Sequence, residues 1–169
     1  MTVETVRPTS VVSAVWSIST VGNIDDAVSQ PAAGDGLTCR KNGSSTQAQG
    51  WNCGSPVGTG TCSSAKVWLL MYAEEDADVT VNEVRVRLNG SWYTTGTVGT
   101  ELTTSGTWYG FTFTGSYGSM STIAPAFEVT LQGSGSSSRG HVDVGYIDLT
   151  FTEGGGAAVT NPAAMLALL

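Results

Sequence analysis

Three features of this 169-residue chain point to an all-β fold, an antiparallel β-sandwich. Apolar and polar residues alternate with a period of two in several short stretches, no stretch carries a helical period, and the intervening segments are rich in Gly, Ser and Thr. Parallel βαβ folds are excluded because they need crossover helices. The length suits one domain with a real hydrophobic core, assigned to residues 1–153, followed by a Gly linker and apolar tail at 154–169.

In chain order, Thr5 to Ser10 is extended and contains a proline. Val12, Ala14, Trp16 and Ile18 then share one parity against Ser13, Ser17 and Ser19, which predicts a first strand with Trp16 pointing inward. Residues 23–64 are dominated by Gly, Ser, Thr, Asn and Asp and hold all three cysteines, so a long decorated loop is expected, with one short strand near Leu37 to Arg40. Lys66 to Leu88 is the centre of the sandwich. Its six apolar residues, Val67 to Tyr72, are too few for a membrane span and suit a strand buried on both faces. Past an acidic corner, Val79 and Val81 share one side and Val84, Val86 and Leu88 share one side, so the parity flips between the two groups. The cheapest repair is a β-bulge near Asn82 and Glu83.

Asn89-Gly90 follows directly and tolerates the positive φ values of a type I′ turn, so Ser91, Trp92 and Tyr93 should begin the partner strand of a hairpin. Trp108 to Thr114 sets Tyr109, Phe111 and Phe113 opposite Thr112 and Thr114, and Ala126 to Gln132 turns Phe127, Val129 and Leu131 inward. The Gly-Ser run at 133–140 reads as a flexible loop. In the last strand, His141 to Glu153, the parity flips again, and Gly145 is the expected bulge. The total is seven or eight strands.

Composition narrows the functions. A formal net charge of -7 with only seven scattered Lys and Arg removes nucleic acid as a partner, since phosphate neutralisation needs clustered cations. Charged residues make up 12% of the chain, so the surface is solvated mainly by hydroxyls. The first ten residues lack the basic and apolar regions of a signal peptide and no run is long enough for a membrane helix, which leads to the expectation of cytoplasmic synthesis without a membrane partner.

Candidate sites are few. Cys53 and Cys62 bracket a Gly-rich loop that a disulfide can close, leaving Cys39 odd; reduced thiols, or a metal site with His141, are the alternatives, and no Cys pair has the spacing of a structural zinc site. Glu74, Glu75, Asp76 and Asp78 form an acidic corner where a solvated turn competes with a calcium site, and Asp25, Asp26 and Asp35 raise the same question. The EF-hand spacing is absent. Catalysis is not expected. His141 is the sole histidine, no activated-serine motif is present, and no cofactor or metal site is assigned. Trp16, Trp68 and Trp108 lie in strand patterns and read as core. Trp51 in the polar stretch, and Trp92 with Tyr93 after the turn, are the candidate glycan or partner contacts.

The run Val6-Arg7-Pro8-Thr9 leading to Trp16, then Asn23-Ile24-Asp25-Asp26-Ala27-Val28, then Val79 to Leu88, and a closing Val142 to Thr152, resembles the jelly-roll modules of bacteriophage structural proteins over residues 5–153. The resemblance implies a jelly-roll sandwich in a virion and assigns no catalytic residue. It leads to the expectation of a non-enzymatic, virion-surface structural protein, a capsid decoration or minor capsid subunit bound to the major capsid or tail protein. The alternative is a carbohydrate-binding or adhesin module of tail-fibre or receptor-binding type that recognises host-surface glycans. Repeated subunits on a shell favour a homo-oligomer, here a trimer. In the tail, Met165, Leu166, Leu168 and Leu169 each gain about 1.5–3 kcal/mol from full burial, so the segment is expected to dock, either into a neighbouring virion protein or onto its own sandwich.

Overall fold

The computed structural model describes residues 1–13, 15–24, 34–76 and 78–153. The expected docking residues Met165, Leu166, Leu168 and Leu169, and Asp25 and Asp26, lie outside the described residues. The chain forms an antiparallel β-sandwich of jelly-roll type. It begins with β1 (Thr2–Val6) and β2 (Pro8–Ser13), which belong to different sheets, so the chain switches sheets at Arg7. Pro8 opens its strand, where a missing N–H costs no ladder bond. Next come β3 (Cys39–Asn42) and β4 (Thr46–Cys53), then β5 (Thr61–Ala73) and β6 (Val79–Leu88). The remaining strands are β7 (Ser91–Thr94), β8 (Thr100–Glu101), β9 (Thr107–Thr114), β10 (Ala126–Gly133) and β11 (Arg139–Thr152).

One sheet runs β1-β11-β5-β9, with β3 alongside β11; the other runs β2-β4-β10-β6-β7, with β8 alongside β6. Every pairing is antiparallel. The core between the sheets is filled by fully buried residues that include Val67, Leu69 and Met71 of β5, Val84, Val86 and Leu88 of β6, Phe127, Val129 and Leu131 of β10, and Ile147 and Leu149 of β11.

Several expectations hold. The ladder between β10 and β6 slips where Thr130 pairs with Glu83 and Leu131 with Val81, so Asn82 is the extra residue that lets valines on both sides of it face inward. Asn89 (φ 50°) and Gly90 (φ 81°) form the tight turn, with Leu88 opposite Ser91.

Others are corrected. Residues 46–53, expected as loop, form β4, an internal strand of the second sheet. Its polar composition is compatible with burial because Gln49, fully buried, accepts hydrogen bonds at Oε1 from the Val15 (3.1 Å) and Trp16 (3.3 Å) amides and donates from Nε2 to the Gly50 carbonyl. These bonds anchor Trp16 in the core after β2 has ended, while Val12 and Ile18 are exposed rather than inward. In β11 the register slips between Val142 and Val144, placing the bulge at Asp143. Gly145 instead faces inward, where a β-carbon would lie 2.6 Å from Phe127 Cζ and 2.9 Å from Ile24 Cδ1.

Candidate functional site

Alternation along β5 sends Val67, Leu69 and Met71 into the core and Lys66, Trp68, Leu70 and Tyr72 to the outer face of the first sheet. The bulge in β11 brings Val144, Tyr146 and Asp148 to that same face, and β9 contributes Trp108 and Thr112. The outcome is a small apolar cluster on the outside of the sandwich: Leu70, Val144 and Tyr146 are buried within it, and the half-buried Trp68 and Trp108 pack against them. The outer face of an antiparallel sheet is ordinarily polar, so an aromatic cluster there calls for an explanation.

The rings are held in place. Trp108 meets Tyr146 edge-on, with centroids 5.7 Å apart and planes at 63°. The Trp68 ring lies across the strand onto Gly110, directly opposite it in the ladder, where a β-carbon would come within 2.7 Å of the ring. Its Nε1 donates to Asp148 Oδ2 (3.0 Å), and Asp148 Oδ1 accepts from the Thr5 hydroxyl (2.5 Å). Lys66 Nζ sits 3.7 Å from the centroid of the Trp68 ring, and the Arg7 guanidinium lies 5.0 Å from that of Tyr146. Aromatic surface is thus interleaved with hydrogen-bonding groups at its margins, a composition suited to a polar ligand with an apolar face. Trp68 and Trp108, assigned to the core from the sequence, build this face instead.

The aromatics singled out as contacts fare differently. Trp51 is fully buried, packed edge-on against Trp16 (5.9 Å, 83°) and tilted against Phe127 (5.3 Å, 36°), so it is a core residue and not a surface contact. Trp92 is 36% exposed on the outer face of the second sheet, with the Arg85 and Arg87 guanidinium groups 5.1 and 5.5 Å from its ring centroid. Tyr93 packs edge-on against Tyr117 (4.8 Å, 69°). Trp92 and Tyr93 share a shallow cleft of about 460 Å³ with Thr112, Phe113, Thr114 and Tyr117, between the edge strands β7 and β9.

The acidic corner does not converge on a cation. Arg139 Nη1 donates to Glu74 (2.9 Å), and Asp78 Oδ1 accepts from the Ser134 (2.5 Å) and Ser138 (2.8 Å) hydroxyls. Asp76 accepts from the Thr104 amide (3.0 Å). The hydrogen bonds from Ser134 and Ser138 hold the Asp78 carboxyl below its ordinary pKa. Among the described residues, no cluster of three or more His, Cys, Asp or Glu side chains can hold a metal ion. His141 is buried and stacked on Tyr72 (centroids 4.5 Å apart, planes at 1°), and burial lowers its pKa. A carboxylate only accepts, so the neutral imidazole donates from Nε2 to Glu74 (3.3 Å) and accepts at Nδ1 from the Thr38 hydroxyl (2.7 Å).

The structure does not join Cys53 to Cys62. Both, like Cys39, are buried, unpaired thiols, and burial raises the pKa of all three, that of Cys39 to about 12. They act as small core residues.

No family model and no curated protein matches the sequence. Similar solved structures are carbohydrate-binding modules. TmCBM61 in complex with β-1,4-galactotriose shares 15% identity over 65% of this chain and 68% of that one, with a TM-score of 0.42. The CBM36-1 domain of a multidomain xylanase from the hindgut metagenome of Trinervitermes trinervoides shares 8% over 90% and 100%, at 0.40. CBM35 from Cellvibrio japonicus Abf62 shares 14% over 88% and 95%, at 0.39.

Proposed function

We propose that the protein is a non-catalytic glycan-binding module whose ligand lies on the outer face of the β1-β11-β5-β9 sheet. The observation that carries this reading is the pair of half-exposed tryptophans, Trp68 and Trp108, set around Tyr146 on a face where a sandwich needs no aromatic surface. A pyranose presents an apolar face of axial C–H groups and a rim of hydroxyls. The indoles supply the stacking surface, while Asp148, Lys66 and Arg7 stand at the margin to meet the rim. The capsid-decoration role expected from the sequence rests on the lack of a catalytic or cofactor motif, on the phage resemblance, and on the terminal segment, which lies outside the described residues. The glycan reading rests on side chains whose positions are described.

A glycan array probed with the wild-type protein, Trp108→Ala and Trp92→Ala tests it. Wild type and Trp92→Ala are expected to bind the same glycans, and Trp108→Ala to bind them roughly tenfold or more weakly, with its melting midpoint measured in parallel to show that it folds. Binding lost with Trp92 and kept with Trp108 moves the site to the edge cleft. An absence of any glycan binding by the folded wild type removes the reading and returns the question to an assembly role.

A further inference from the structure

Among the described residues, most of the cations of this acidic molecule gather on the side of the sandwich that bears the aromatic face. The chain carries a net charge of -7, with seven Lys and Arg in all. Four of these, Arg7, Arg40, Lys66 and Arg139, belong to the outer side of the sheet that bears Trp68 and Trp108: Lys66 and Arg7 lie over its rings, Arg40 is paired with His141, and Arg139 reaches Glu74 beside His141. Against them the face sets Asp148, bound to Trp68 and Thr5, and Glu74, bound to Arg139 and His141. Among the described residues, four cations stand against these two carboxylates and Asp143 of the β11 bulge, an excess of one positive charge. Lys66 is the informative member, because its ammonium makes no ion pair among the described residues and is poised over the Trp68 ring. A cation kept beside an aromatic platform in an acidic protein complements a ligand that is both ring-shaped and negatively charged.

Resting on the glycan-binding reading, we propose that the ligand is an anionic glycan, one whose pyranose stacks on the Trp68 and Trp108 surface while its carboxylate or sulfate meets Lys66 and Arg7. The two sources of the charge share one chemistry at the site, an oxyanion attached to a sugar ring. They differ in the polymers that carry them, uronic acid chains or sulfated ones. The overall negative charge of the protein then works against unselective capture of polyanions, so that the ring and the charge must be presented together.

Calorimetric titration of the full chain with three oligosaccharides of matched length, an oligogalacturonate, a sulfated chondroitin and a neutral cello-oligosaccharide, tests the proposal at low and moderate salt. At least one anionic series is expected to bind roughly tenfold or more tightly than the neutral one, with an affinity that falls as salt rises. Lys66→Gln, which removes the charge at a half-buried surface position, is expected to remove most of that advantage and flatten the salt dependence while leaving the melting transition in place. Which anionic series wins identifies the source of the charge. Equal binding of neutral and charged ligands, with Lys66→Gln without effect, overturns the proposal and leaves the glycan-binding reading standing. Failure of all three series overturns the proposal, and the array result then decides whether the broader reading falls with it.

Discussion

Gly145 stands where the core leaves no room for a side chain. A glycine at a parity flip suggests a bulge, yet the bulge falls at Asp143, and Gly145 is needed because the Phe127 ring and the Ile24 side chain occupy the space a β-carbon requires. Its amide also donates to the Ile24 carbonyl (3.1 Å), which holds the backbone against any retreat. Gly145→Ala is therefore expected to destabilise the fold by about 1–3 kcal/mol through overpacking, read as a lowered midpoint in thermal or denaturant unfolding. A shift too small to measure would mean that Phe127 can move aside. The tryptophans carry the same lesson. Trp51 stands in a polar run and is fully buried, whereas Trp68 stands in an apolar run and Trp108 on the threonine side of its strand, and both face outward. Alternation separates the two sides of a strand, but in Val67 to Tyr72 both sides are apolar, so the pattern cannot say which is the core.

At the scale of strands, β6 was legible because its two groups of inward valines differ in parity and a bulge is the one local feature that reconciles them. Deleting Asn82 removes the extra residue and forces either Val79 and Val81, or Val84, Val86 and Leu88, out of the core. Losing the burial of even two valines costs on the order of 3–6 kcal/mol. The deletion is expected to abolish a cooperative melting transition or lower its midpoint sharply, and an unaltered melt would show that the bulge does not set the register. Strand β4 was not legible. Its buried faces include Gln49 and Gly50, and the bonds that make Gln49 tolerable inside come from residues more than thirty positions earlier in the chain. The acidic corner was half legible: it is a connection between sheets, but Glu74, Asp76 and Asp78 are each taken up by separate partners on other segments rather than by one ion.

For the whole molecule, β1 pairs with the end of β11 from Val6 opposite Ile147 to Thr2 opposite Phe151, so the described sandwich is closed before residue 154. Deletion of residues 154–169 is accordingly expected to leave the melting midpoint of the domain unchanged, and a markedly lower midpoint would assign the apolar tail to the domain's own core. The amino-acid order by itself determined the all-β class, the Asn89-Gly90 hairpin, the Asn82 bulge and the inward residues of β10. Each follows from local alternation or from a turn that few residues can make. Only the tertiary structure decided that residues 46–53 form an internal strand, that Trp51 is core, and that Trp68, Trp108, Tyr146, Lys66 and Arg7 share one outward face. Those facts depend on which strands become neighbours. Neighbourhood in a sandwich joins residues as far apart as Thr5 and Asp148, a separation that no window of local periodicity spans.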